Sequence, residues 1–300
     1  MKVSVKDSLL FGIQRVLQNW RLVLFVYFIN LSFGLILVFP IVTLFVKDVS
    51  HSLVARRLSE GFDYRWYIEF VHMNSKFFTA LFPGAVFILA LYAAIDMFLA
   101  GGFFVALSNE GRTRIHEVVM HGAKNFLGMI LVSFVQVLLI ILLYKLNRFW
   151  SEGIIQGEIS VLNENEILKE NLFRYGVISI LLLAIIIISE FSRVGIALDS
   201  ERSLLLKAFR GLTFAFKHPL QIIGIFLTIS IMSAGLTTAY FYAGFYLHAG
   251  TAKEVIAGMI VGQLVVLSRA AVKLLFYSAE VFFYINVQTE VIRVTPQILE

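Results

Sequence analysis

Six charged residues stand inside stretches of the chain that are otherwise apolar: Asp96, Glu190 and Glu280, and Arg193, Arg269 and Lys273. A charge at the centre of a bilayer costs about 2.5–3.5 kcal/mol on insertion scales, so such residues pair, face a cavity or take part in function. Glu190 and Arg193 are three apart and share a helical face, Arg269 and Lys273 are four apart, and Lys273 precedes Glu280 by seven. Glu190 lies 11 residues before Glu201, Glu280 ten before Glu290, and Asp96 14 before Glu110. That spacing predicts three acids directed toward one axis, with Asp96 about one turn deeper. Carboxylates so placed would accept protons or cations, and Arg269 or Lys273 would receive an anionic group. The same six residues could equally neutralise one another and pin helix packing.

Other chemistry-bearing patterns do not complete a site. His116, Glu117 and His121 resemble a zinc-protease motif, but the histidines are five apart, whereas the metal needs an i, i+4 pair on one face. Glu69 and His72 give one Glu-x-x-His pair where a di-iron bundle needs two. Ser268 and Lys273, five apart, do not share a face for a dyad. There is no P-loop, no Gly-x-Ser-x-Gly elbow and, with no cysteine, no thiolate site. No catalytic residue, metal or cofactor is expected. Ser230, Ser233, Ala234 and Thr237 form a stripe of small residues that reads as helix packing, and Gly101 and Gly102 read as a close crossing or a bend.

The elements that must carry these residues are membrane helices. Of the 300 residues 59% are apolar and 15% charged, with 29 Phe and a mean hydropathy of +0.85, which excludes a soluble enzyme, a nucleic-acid-binding domain and a disordered chain. A helix needs about 20 apolar residues to cross the hydrocarbon layer. Six stretches qualify: Leu22 to Val46, Phe77 to Leu107, Phe126 to Tyr144, Tyr175 to Leu198, Pro219 to Leu247 and Val255 to Val287. The first is too long for a cleaved signal and is expected to stay as an anchor. Lys2, Lys6, Arg15 and Arg21 precede the first span. Arg112, Arg114 and Lys124 follow the second, and Lys207, Arg210 and Lys217 the fourth. By the positive-inside rule this side is cytoplasmic and holds both termini, so the net charge of +5 is an orientation signal. Loops 47–76 and 145–174 then lie outside. The fold class is all-α, a single polytopic bundle of six transmembrane helices.

Three segments share one apolar stripe before an odd-numbered span. Leu9, Gly12, Ile13, Val16 and Trp20 are matched by Ile115, Val118, Val119, Gly122 and Phe126, and by Leu205, Ala208, Phe209, Leu212 and Phe216. This is the period of an amphipathic helix, with basic residues between the stripes that suit a helix lying in the headgroup plane. Asn19, Asn125 and His218 are the expected corners into the spans. Span ends match too: Ala106-Leu107-Ser108-Asn109-Glu110 against Ala197-Leu198-Asp199-Ser200-Glu201. The pattern predicts three units, about 3–107, 112–198 and 200–287, each an elbow helix followed by a hairpin of two spans.

The elbow pattern, above all Leu205 to Phe226 with its basic amphipathic run, corner and Ile-Ile-Gly-Ile-Phe entry, resembles that of bacterial six-span membrane proteins. Among them is the membrane domain that accompanies glycerophosphodiester phosphodiesterases. The resemblance implies a bacterial inner-membrane location and a link to lipids or the envelope. It carries over no catalytic residue. The expected function is to bind or move a lipid-like or charged substrate through a polar bundle interior, in contact with the bilayer and a bound lipid. The alternative is a non-catalytic anchoring or assembly subunit whose elbows and outer loops hold a membrane-protein partner.

Overall fold

The computed structural model describes residues 4–50, 54, 58, 63–109, 111–158, 164–199, 203–246 and 252–294. Of 153–158, 164–167, 245–246, 252 and 288–294 it describes the backbone alone. Every element among them is helical: α1 (Val5–Gln18), α2 (Trp20–Val49), α3 (Tyr64–Met73), α4 (Ser75–Ser108), α5 (Ile115–Glu158), α6 (Glu164–Leu198), α7 (Leu204–Lys217), α8 (Pro219–Tyr246) and α9 (Ala252–Val294). Glu110, Ser200, Glu201, Arg202 and parts of loops 47–76 and 145–174 lie outside the described residues, as does the side chain of Glu290.

Six helices are long and apolar enough to span a membrane: Trp20–Val49, Ser75–Ser108, Ile115–Glu152, Leu168–Leu198, Pro219–Gly244 and Lys253–Val287. Their large side chains point outward in number, Phe39 at 73% exposure, Phe82 at 70% and Ile231 at 70%. Water would not tolerate so large an apolar surface, whereas lipid tails cover it without loss. The chain is an all-α polytopic membrane protein.

Two of the three expected corners are present. α1 stops at Asn19, whose side-chain amide donates to the Arg15 carbonyl at 3.0 Å and whose backbone (φ −110°, ψ 34°) turns the chain into α2. α7 stops at His218 (φ −128°, ψ 45°), before Pro219, which cannot donate to a preceding turn and opens α8. The expected corner at Asn125 is absent, because α5 runs unbroken from Ile115 to Glu158. The Asn125 amide donates instead to the Gly101 carbonyl of α4 at 3.2 Å, and no proline follows it. An asparagine that bonds to a neighbouring helix is not available to cap its own.

The chain divides into two units. Unit 1 comprises 1–5, 97–224 and 280–300. Its helices meet through glycines. A Cβ on Gly102 would fall inside the Val118 carbonyl, and one on Gly122 would lie 2.6 Å from the Phe98 carbonyl oxygen. α6 and α7 repeat that arrangement: Gly211 meets the Phe191 carbonyl, and a Cβ on Gly195 would lie 2.7 Å from that of Lys207. In both crossings each glycine faces the carbonyl four residues before the other glycine.

Unit 2 comprises 6–96 and 225–279. Here α1 lies on α9 at Gly12, where a Cβ would stand 3.2 Å from the Leu275 carbonyl oxygen and 3.6 Å from the Ala279 nitrogen. Leu275 is four residues before Ala279, so the rule recurs with alanine in place of the span glycine. Tyr92 of α4 donates to Asn30 of α2 at 2.9 Å, and Tyr27 of α2 donates to Gln263 of α9 at 2.8 Å. α3 is capped by Asp63, which accepts from the Arg65 and Trp66 amides. Trp66 and Phe70 of α3 stack at 5.0 Å, with Phe45 of α2 edge-on to Trp66 at 5.6 Å, so Trp66 packs inside the unit.

Candidate functional site

The six charges fall into two groups, one in each unit. Asp96, Arg269 and Lys273 belong to unit 2, and Glu190, Arg193 and Glu280 to unit 1.

In unit 2 the Lys273 ammonium forms an ion pair with Asp96 across helices, and stands 5.8 Å from the centre of the Tyr277 ring. Neither side chain is fully enclosed, with 26% of Lys273 and 37% of Asp96 exposed. Sequence spacing had placed Lys273 on the face of Glu280, yet its carboxylate partner is the acid of another span. One turn away, Arg269 is exposed and donates to Thr237 of α8 at 3.3 Å. Among the described residues no carboxylate pairs with it. Arg269 stands 16 residues from Lys253 and 18 from Val287, the ends of the apolar stretch. At about 1.5 Å per residue that is roughly 24 and 27 Å from either end, so an unpaired cation sits midway along a membrane helix.

Beside it a groove of about 360 Å³ opens between α8 and α9. Arg269 and Lys273 supply its charge, Ser230 and Ser233 its hydroxyls, and Phe226 and Phe276 part of its apolar wall, their rings perpendicular with centres 4.6 Å apart. Ser230 and Ser233 of the α8 stripe, expected to be packing, therefore line an opening. A Cβ added to the adjacent Gly235 would meet nothing within 4 Å, so no close crossing is made at that glycine. An aperture with cations, hydroxyls and aromatic walls can hold an oxyanion joined to an apolar body.

Unit 1 holds a more enclosed group. Arg193 donates to Glu190 at 2.6 Å, as the i, i+3 spacing predicted, and its other terminal nitrogen donates to Gln136 at 2.6 Å and Ser133 at 3.0 Å, both on α5. A guanidinium bonded at both terminal nitrogens, one of them to a carboxylate, is an arrangement in which a buried ion pair recovers part of its lost hydration. Glu280 is wholly buried, neither of its oxygens has a hydrogen-bond partner among the described residues, and the charges of Glu190 and Arg193 act on it. Ser133 and Gln136 were missed in the sequence. Their only signal is two polar residues, three apart, in an otherwise apolar stretch.

Just outside the span, His218 is tilted against Phe214, ring centres 5.0 Å apart, with Phe283 at 6.1 Å. Burial pushes its imidazole pKa below the ordinary value, and the neighbouring Lys217 charge pushes the same way. The other motif residues lie apart: Glu69 and His72 are exposed on α3, and His116 is exposed on the first turn of α5. Comparison with protein families, characterised proteins and solved structures returns no match for this chain.

Proposed function

We propose that this protein binds an anionic, lipid-like substrate in the α8–α9 groove and moves it across the membrane without covalent chemistry. One observation carries the reading: an exposed guanidinium, Arg269, with no carboxylate partner among the described residues, stands midway along a membrane helix beside a groove. A charge there is costly when empty, and an anion in the groove offsets that cost. A lipid resting in one leaflet keeps its headgroup at the surface, so a cation at mid-depth meets a headgroup only in passage. The Phe226 and Phe276 wall suits an acyl chain that travels beside the head. The organisational resemblance to lipid-linked bacterial six-span proteins favours the same class of substrate and an inner-membrane location.

The three glycine-lined or alanine-lined crossings support an origin by repeated duplication, though in a different register from the apolar stripe. Contacts align Gly12, Gly122 and Gly211, whereas the stripe aligned Gly12 with Val118.

Reconstitution in liposomes containing tail-labelled fluorescent anionic lipids tests the proposal. The native protein should expose the inner-leaflet probe to an external quencher, and Arg269→Met should slow that exposure about tenfold or more. A native protein no faster than empty liposomes would refute it.

A further inference from the structure

The fixed charges around the groove identify the headgroup it takes. Arg269 and Lys273 each contribute +1 and Asp96 contributes −1, a sum of +1. From the count of these three charges, resting on the anion-binding reading above, we propose that the occupant is a membrane lipid with a singly charged phosphodiester headgroup, and that Asp96 sets this preference. One negative charge brings the groove to neutrality. A doubly charged phosphomonoester leaves it at −1 inside the bilayer, where an unbalanced charge is strongly unfavourable.

The geometry assigns the parts. Arg269 has donors left over beyond its single bond to Thr237 and presents the planar fork that matches two phosphate oxygens. Lys273 is a point charge already committed to Asp96, so it contributes field more than a free donor. Ser230 and Ser233 offer hydroxyls on the opposite wall, suited to the ester oxygens or to a polar alcohol on the far side of the phosphate. Asp96 is thus a specificity-determining residue, because it lowers the groove charge without lining the groove.

The test is native mass spectrometry of the full-length protein released from phosphatidylcholine nanodiscs. The discs contain equal amounts of phosphatidylglycerol, a phosphodiester, and phosphatidic acid, a phosphomonoester, at an alkaline pH where the latter carries two charges. The native protein should retain phosphatidylglycerol in preference. Asp96→Asn raises the groove to +2 and should shift the retained ratio toward phosphatidic acid by about tenfold or more. The double variant Asp96→Asn, Lys273→Met returns the groove to +1 and should restore the native ratio. It also replaces an ion pair by neutral groups of similar size, a change that folds are known to accept, so it guards against a misfolded single variant. Retention of phosphatidic acid as strongly as phosphatidylglycerol by the native protein would overturn this inference while leaving the anion groove standing. Retention of neither lipid would overturn the groove itself. Release of bound phosphatidylglycerol by dimethyl phosphate at matched concentration would overturn the assignment to a lipid.

Discussion

Arg193 and Arg269 differ in what surrounds them, and the difference separates structural from functional charge. Arg193 is enclosed by Glu190, Gln136 and Ser133, its side chain 16% exposed. Removing one partner of such a pair strands the other, at about 3–5 kcal/mol for fully buried pairs, with the upper end reduced here by the residual exposure. Arg193→Met should therefore lower the thermal midpoint of the purified protein by several degrees. Arg269→Met, which removes an exposed side chain holding one hydrogen bond, should leave the midpoint nearly unchanged while slowing lipid movement. Equal thermal shifts in the two variants would contradict the distinction. Sequence spacing found the Glu190–Arg193 pair because both residues lie on one helix, where 3.6-residue geometry fixes the neighbour. It could not find Asp96–Lys273, which joins residues 177 positions apart. Nothing in an apolar run says which other run lies beside it.

At the scale of elements, the spans were legible and the joints were legible in part. Hydropathy alone gives the six membrane helices, because about 20 consecutive apolar residues have few alternatives. The corners at Asn19 and His218 were readable from residue type and from Pro219, but the same type at Asn125 makes a bond to α4 instead. The glycines were ambiguous until their neighbours were known. Gly102→Ala would drive a methyl into the Val118 backbone, and overpacking of that kind costs about 1–3 kcal/mol. Gly235→Ala points into open space and should raise stability by about 0.5–1 kcal/mol through helix propensity. Thermal midpoints in one detergent should order as Gly235→Ala, native, Gly102→Ala. The α7–α8 corner adds a pH dependence. Because the folded-state pKa of His218 lies below the unfolded value, the unfolded chain binds more protons once the pH falls below about 6.5. Stability contributed by the neutral ring is thus complete above that pH and declines beneath it. Melting measured from about pH 8 down to about pH 5 should show this loss in the native protein and a smaller loss in His218→Asn.

For the whole molecule, the glycine contacts give a register in which the charges can be compared. Gly122, Gly211 and Gly12 face the carbonyls of Phe98, Phe191 and Leu275. Asp96 and Lys273 each stand two residues before the facing carbonyl, where the third contact has Ser189, and Glu190 stands one residue before its own. If the three units arose by duplication, the Asp96–Lys273 pair joins equivalent positions of two of them. These contacts do not say which way the spans run through the membrane, and the basic residues of the elbows carry that expectation. With an even number of spans both termini share a side, predicted to be cytoplasmic. The chain has no cysteine, so a single introduced thiol reports without background. Ser4 and Ser203 are exposed beside the elbow helices α1 and α7, and Ser75 is exposed at the start of α4. In intact cells a membrane-impermeant maleimide should label Ser75→Cys and leave Ser4→Cys and Ser203→Cys unlabelled until the cells are permeabilised. Labelling of the two elbow positions first would invert the orientation and place the basic elbows against the outer leaflet, where the positive-inside argument for them fails.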